Sequence, residues 1–241
     1  MDGYRWGEYL DRFLRECLDA SSVTVLDASS YQEAGTIHDM NLPVPEEWHA
    51  QYDAIIDGGS LEHIFNVPVA FKNLADMLKV GGRIFLNSPA NNLMGHGFYQ
   101  FSPELMFRIF SDANGFEVNN VWLYEASYPS VELSKNKIIY DVRDPGQVHQ
   151  RVGLLNKKPV MMMVEAHKTS DAEVFKTAPN QSDYVQVWSA DRDGAEPVGW
   201  RRRAKQGVQA LPLAVSAPLR GLREKRRFSF SNRRFYEKDR W

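Results

Sequence analysis

At 241 residues, 43% hydrophobic and 12% aromatic, the chain can bury one sizeable core with sequence to spare. Its single cysteine, Cys17, excludes an intramolecular disulfide framework, and with no charged-then-apolar leader and no run of about 18 apolar residues the sequence reads as a cytosolic protein. The net charge of -2 conceals an asymmetry: residues 200–241 hold 13 Lys/Arg against 3 Asp/Glu, for +10, and residues 1–199 sum to -12.

The first element in the chain is an amphipathic helix, because Trp6, Tyr9/Leu10, Phe13/Leu14 and Cys17/Leu18 recur at three-to-four spacing with charged residues between them. A short apolar strand, Val23 to Leu26, follows and ends at Asp27. A weaker strand is expected between Thr36 and Asn41, closed by Pro43 and Pro45. The stretch YDAIID, residues 52–57, is a better strand, and Gly58-Gly59 after it turns the backbone without a Cβ penalty.

From Asn66, a favourable N-cap, Val67, Ala70/Phe71, Leu74 and Met77/Leu78 make the buried stripe of a helix that Gly81-Gly82 is expected to terminate. Residues 83–87, RIFLN, are the next strand. Ser102-Pro103-Glu104 supplies a cap, a first-turn proline and an acid at the positive end of the dipole, so a helix starts there and stops at Asn114-Gly115. Phe116 to Tyr124 and Pro159 to Ala166 read as two further strands, joined by an irregular, partly helical connection of about thirty residues. The expected organisation is an α/β domain over residues 1–169, an irregular connection over 170–199, and a basic, flexible tail over 200–241.

Three stretches, YDAIIDGGSLEHI (52–64), LADMLKVGGRIFLNSP (74–89) and FSPELMFRIFSDANGFEV (101–118), arrive in an order and spacing that resembles the class I S-adenosylmethionine-dependent methyltransferases. The likeness spans residues 20 to 168. It implies a Rossmann-like methyltransferase sheet, mostly parallel with a late antiparallel strand pair, and S-adenosylmethionine as cofactor. By the same resemblance Asp27 accepts from the ribose hydroxyls, Asp39 lies near the adenine, and Asp57, Gly58 and Gly59 line the cleft beside the reactive methyl group. Asp27 and Asp39 have a plainer reading as turn formers.

Glu62-His63 resembles the acidic-His pair that follows this strand in many small-molecule methyltransferases. Transfer from a sulfonium is an in-line displacement in which the protein orients the reactants and removes a proton where needed, a task that suits a histidine. His63 also fits as a packed helix-start residue. The loop PANNLMGHGFYQF, residues 89–101, gathers amides, a histidine and three aromatic rings at the same sheet edge. It suits a substrate pocket in which His96 joins His63 as a catalytic candidate, with Glu62, Asn91, Tyr99 and Gln100 as substrate contacts. An Ω-like loop folded on its own aromatics is the alternative.

The sequence departs from the family at its start, where MDGYRWGEYL offers neither the first strand nor the glycine-rich turn that wraps the cofactor. In a doubly wound sheet that first strand is central, so a seam is expected between the second and fourth strands. A reading frame begun too late, a genuinely shortened homologue and a strand supplied by a partner chain are three accounts of the gap. Two function classes stay open: methyl transfer to a small-molecule or saccharide-type acceptor, and a non-catalytic methyltransferase-like binding module.

The six histidines show no H-x-x-x-H ligand spacing, so no metal is expected. Cys17 has no evident base nearby, and Met161 to Met163 read as a buried strand. The arginines that alternate with Phe228, Phe230, Phe235 and Tyr236 suit an anionic partner, either nucleic acid or an anionic membrane, with a solvated end as the plainer reading. The oligomeric state is not legible.

Overall fold

A computed structural model describes residues 10–30, 35–126, 138–192 and 213–238. The first helix, α1, spans Leu10–Cys17, and no residue in it is buried. Trp6 and Tyr9, expected on its apolar face, lie outside the described residues. Strands β1 (Leu26–Asp27) and β2 (Thr36–Ile37) are two residues each and pair in parallel as a sheet of their own.

The main sheet starts with β3 (Tyr52–Asp57), whose bounds match the YDAIID reading. Helix α2 (Val67–Met77) crosses over to β4 (Leu78–Asn91), which pairs parallel to β3. The helix buries Val67, Ala70, Phe71, Leu74 and Met77, the stripe its spacing predicts. Two local expectations are corrected here. Asn66 makes no side-chain cap; its amide donates to the Asn41 carbonyl instead, at 3.1 Å. Gly81-Gly82 does not end the helix, because Leu78 is already extended and opposite Tyr52. The glycines form a bulge within β4: Gly81 has φ +86°, and a Cβ on Gly82 would stand 2.9 Å from the Asp53 carbonyl oxygen.

Helix α3 (Pro103–Ile109) is capped as expected, with the Ser102 hydroxyl accepting from the Leu105 amide at 3.3 Å. Gly115 closes the following turn at φ +75° and admits β5 (Phe116–Glu125). The connection expected to be irregular contains β6 (Ile139–Val142) and the short helix α4 (Pro145–Val148). Strand β7 (Val160–Lys168) then inserts between β4 and β5, antiparallel to both. It is buried almost continuously, as a central strand covered on both faces must be.

Helix α5 (Ser182–Arg192) falls within the segment 170–199 expected to be irregular. Within the basic segment, helix α6 (Leu213–Arg227) leads to β8 (Tyr236–Lys238), which pairs antiparallel with β6. This part of the chain departs from the flexible tail expected: Phe235 and Tyr236 are almost fully buried, and the Tyr236 hydroxyl donates to the Gly153 carbonyl at 2.9 Å. Of the aromatic residues alternating with its arginines, Phe235 and Tyr236 are core residues and the partly buried Phe228 and Phe230 pack against them. Residues 200–212 and 239–241 lie outside the described part.

The order of the six-stranded sheet is β3-β4-β7-β5-β6-β8. Following the pairings, β3, β4, β5 and β8 run one way, and β6 and β7 the other. The fold is therefore a Rossmann-like α/β sheet of mixed direction: β3 and β4 pair in parallel, while every pairing made by β6 and β7 is antiparallel, so the sheet is less parallel than the sequence implied. Among the described residues no strand joins β1-β2 to β3. The two parts are tied through side chains instead. Buried Asn73 on α2 accepts from the Val44 amide at 3.0 Å and donates to the Leu42 carbonyl at 2.8 Å.

Candidate functional site

Because β3 and β4 are parallel, Asp57 and the loop that follows Asn91 emerge at one edge of the sheet, the carboxyl end where open α/β sheets bind ligands. Asp57 is buried there. Its Oδ1 accepts from the Ser60 amide at 3.0 Å, while its Oδ2 is buried without a hydrogen-bond partner. Burial pushes its carboxyl above the usual range, against the pull of the Ser60 amide.

After Gly58-Gly59 a 3-10 turn, Leu61–His63, points Glu62 inward and leaves His63 exposed. Glu62 is 0% exposed, and neither carboxylate oxygen has a hydrogen-bond partner. Gly59 makes room for it: a Cβ there would stand 3.1 Å from Glu62 Oε1, at a backbone φ of +119°. Burial, reinforced by the charge of Asp57, raises the Glu62 carboxyl, while His63 and His96 pull it down.

The loop after β4 is carried onto this turn by backbone bonds. The amides of Phe98 and Tyr99 donate to the Glu62 carbonyl at 2.7 and 3.3 Å. Gly97, at φ +74°, permits the approach, since a Cβ there would meet the Glu62 carbonyl oxygen at 2.7 Å. His96 thereby arrives with Nε2 at 3.3 Å from Glu62 Oε1, a contact off the direction a hydrogen bond needs. The His63 and His96 rings meet edge to face at 5.0 Å. One donor atom from each of Glu62, His63 and His96 lies within 4.8 Å of the others.

The structure thus brings together Asp57, Gly59, Glu62, His63 and His96. The other candidates have local roles. Asp27 Oδ1 accepts from the amide and hydroxyl of Ser29, and Asp39 Oδ1 from the amide and side chain of Asn41, which holds the Asp39 carboxyl below its ordinary range. Asn91 donates to Leu154 and Asn156, tying β4 to a neighbouring segment. Gln100 accepts from the Leu93 amide, Tyr99 donates to the Phe65 carbonyl, and its ring stacks on Phe101. The loop is folded on its own bonds and aromatics, and it presents His96 and the 69% exposed Phe98 outward.

Sequence reading missed Ser88, whose hydroxyl is buried in β4 without a partner; nothing in RIFLNSP marks it. It placed Glu62, His63 and His96 at one pocket, but not as three donor groups within 4.8 Å of one another.

No protein-family model matches the chain, and no curated protein matches it. Among solved structures, it is similar to a Bacillus halodurans protein assigned as a methyltransferase, at 11% identity and a TM-score of 0.43, over 68% of this chain and 88% of that one. It is also similar to an S-adenosylmethionine-dependent methyltransferase of Thermotoga maritima, at 17% identity and a TM-score of 0.37, over 58% of this chain and 66% of that one. Neither overlap is close enough to transfer the role of a residue.

Proposed function

We propose that the chain transfers a methyl group from S-adenosylmethionine to a hydroxyl of a small-molecule or saccharide-type acceptor at the edge of β3 and β4. The observation that carries this reading is the fully buried Glu62 carboxylate, without a hydrogen bond but 3.3 Å from His96 and beside His63, next to a Gly-Gly turn. A buried charge left unpaired costs stability, and such groups concentrate where chemistry is done.

In this reading Asp57, Gly58 and Gly59 line the donor side, and Asp27 and Asp39 hold the cofactor's ribose and adenine. The acceptor oxygen attacks the methyl carbon in line, the carbon–sulfur bond breaks, and the sulfonium leaves as a neutral thioether. His96 takes the acceptor's proton, with Glu62 behind it to stabilise the imidazolium and His63 flanking the ring. The exposed rings of Phe65 and Phe98, edge to face at 5.9 Å, offer an apolar rim suited to a sugar or another ring.

Calorimetric titration of S-adenosylmethionine into the full chain is the test. Binding in the micromolar range, weakened at least tenfold in Asp57→Ala, is expected; no heat at millimolar cofactor would sink the reading. A second reading, a non-catalytic binding module, draws on the break between β1-β2 and β3, where the cofactor cleft would lie. Under it, an acceptor-like ligand binds the Phe65–Phe98 rim in the absence of cofactor and no methylated product forms.

A further inference from the structure

The Glu62 carboxylate presents a chemical problem that the base reading leaves unsolved. Both of its oxygens are buried without a hydrogen-bond donor, and His96 approaches off-axis. A protonated carboxyl would need an acceptor for its own hydrogen, and an ionised one needs a counter-charge. Two neighbouring side chains, His63 and His96, each bring a ring nitrogen to within 4.8 Å of it and of each other. One ion seated among the three answers both needs.

We infer that Glu62, His63 and His96 form a binding site for a single divalent transition-metal ion of the Zn2+ class. Two imidazoles and one carboxylate are a ligand set for such an ion, whereas Mg2+ and Ca2+ favour all-oxygen shells. Ligand atoms at ~2.1 Å from a common ion stand about 3.4 Å apart, so small side-chain rotations close the set from its present spacing. The ligands differ in freedom in a useful way. Glu62 is fixed in the interior and held through its carbonyl by the Phe98 and Tyr99 amides, while His63 and the half-exposed His96 can adjust toward it. With three protein ligands, one position stays open toward the side where His63 and His96 meet solvent. The sequence expectation of no metal rested on helical H-x-x-x-H spacing, which a turn and a distant loop do not obey.

The role of the ion rests on the methyl-transfer reading above. At the open position it would bind the acceptor's hydroxyl oxygen and lower its pKa, so that the proton leaves to water and the bound alkoxide attacks the sulfonium methyl. His63 and His96 then serve as ligands.

The test is calorimetry of ZnCl2 into the chelator-treated full chain, with Co2+ absorption as a second readout of coordination. One ion per chain is expected, with affinity falling at least ~100-fold in His96→Ala and in Glu62→Gln. His149→Ala, away from the site, should leave binding unchanged. His96 lies on an exposed loop, so its variant is expected to fold, and circular dichroism checks both variants. Absence of one-to-one binding, or unchanged affinity in either site variant, overturns the inference. The two proposals separate cleanly: Zn2+ binding without S-adenosylmethionine binding keeps the ion site and removes methyl transfer, and the converse removes the ion alone.

Discussion

Asp57 shows how a site residue can work against the fold that holds it. Its carboxyl is buried with one oxygen unpartnered, and burial raises its folded pKa above the unfolded value. A carboxyl shifted in that direction contributes stability below its unfolded pKa and loses it as pH rises through the folded value. Asp57→Asn should therefore be neutral near pH 3 and stabilising near pH 7, by about 1 kcal/mol, because the amide oxygen still accepts from Ser60 and no charge is buried. Urea denaturation at the two pH values measures it, and a variant less stable at neutral pH would mean that Asp57 is paired. Legibility at this scale is uneven. Residue types at strand ends pointed to Asp57, Glu62 and both histidines, but sequence could not tell that the polar tips of Asn91, Tyr99 and Gln100 turn inward to hold the loop together. Such partners are set by tertiary approach.

At the scale of elements, local rules worked where an element carries its own signals and failed where neighbours decide. YDAIID and the Ser102 cap appear as read, because alternation and cap chemistry are local. The Gly81-Gly82 bulge and strand β6 do not, because the first depends on the register against Asp53 and the second on two partners, β5 and the distant β8. The loop of residues 92–101 is the element on which the site depends, and Gly97 is its tightest point. Gly97→Ala would force a Cβ onto the Glu62 carbonyl at a φ that L residues rarely adopt. A loss of about 1–3 kcal/mol is expected, together with a larger proportional loss of ligand binding, since the two amide bonds that carry His96 to Glu62 would open. Thermal unfolding and the Zn2+ titration measure the two effects separately. Unchanged metal affinity in a destabilised Gly97→Ala would show that the loop does not place His96.

For the molecule as a whole, the described residues form a six-stranded sheet finished at one end by β8, and a separate two-stranded one. Among the described residues β1 and β2 pair only with each other, and neither pairs with β3. The finished end could not be anticipated from composition. A run of arginines reads as a solvated tail, yet the phenylalanines and tyrosine among them close the core: Phe235 is 0% exposed, and Phe230 stacks on Tyr140 of β6 at 4.0 Å. Charge dominates the average over residues 200–241, while folding is decided by the few apolar side chains it dilutes. Phe235→Ala should accordingly cost about 3–5 kcal/mol, the range for a buried aromatic truncated in a packed core. Removal of residues 213–241 should abolish cooperative unfolding or leave an aggregating product, since it strips the outer edge of β6 and uncovers Tyr140. Replacing the exposed Arg223 and Arg226 by glutamine should change stability by no more than about 0.5 kcal/mol. If the tail were an appendage, the ranking would reverse: truncation would leave the denaturation midpoint unchanged, and Phe235→Ala would be silent.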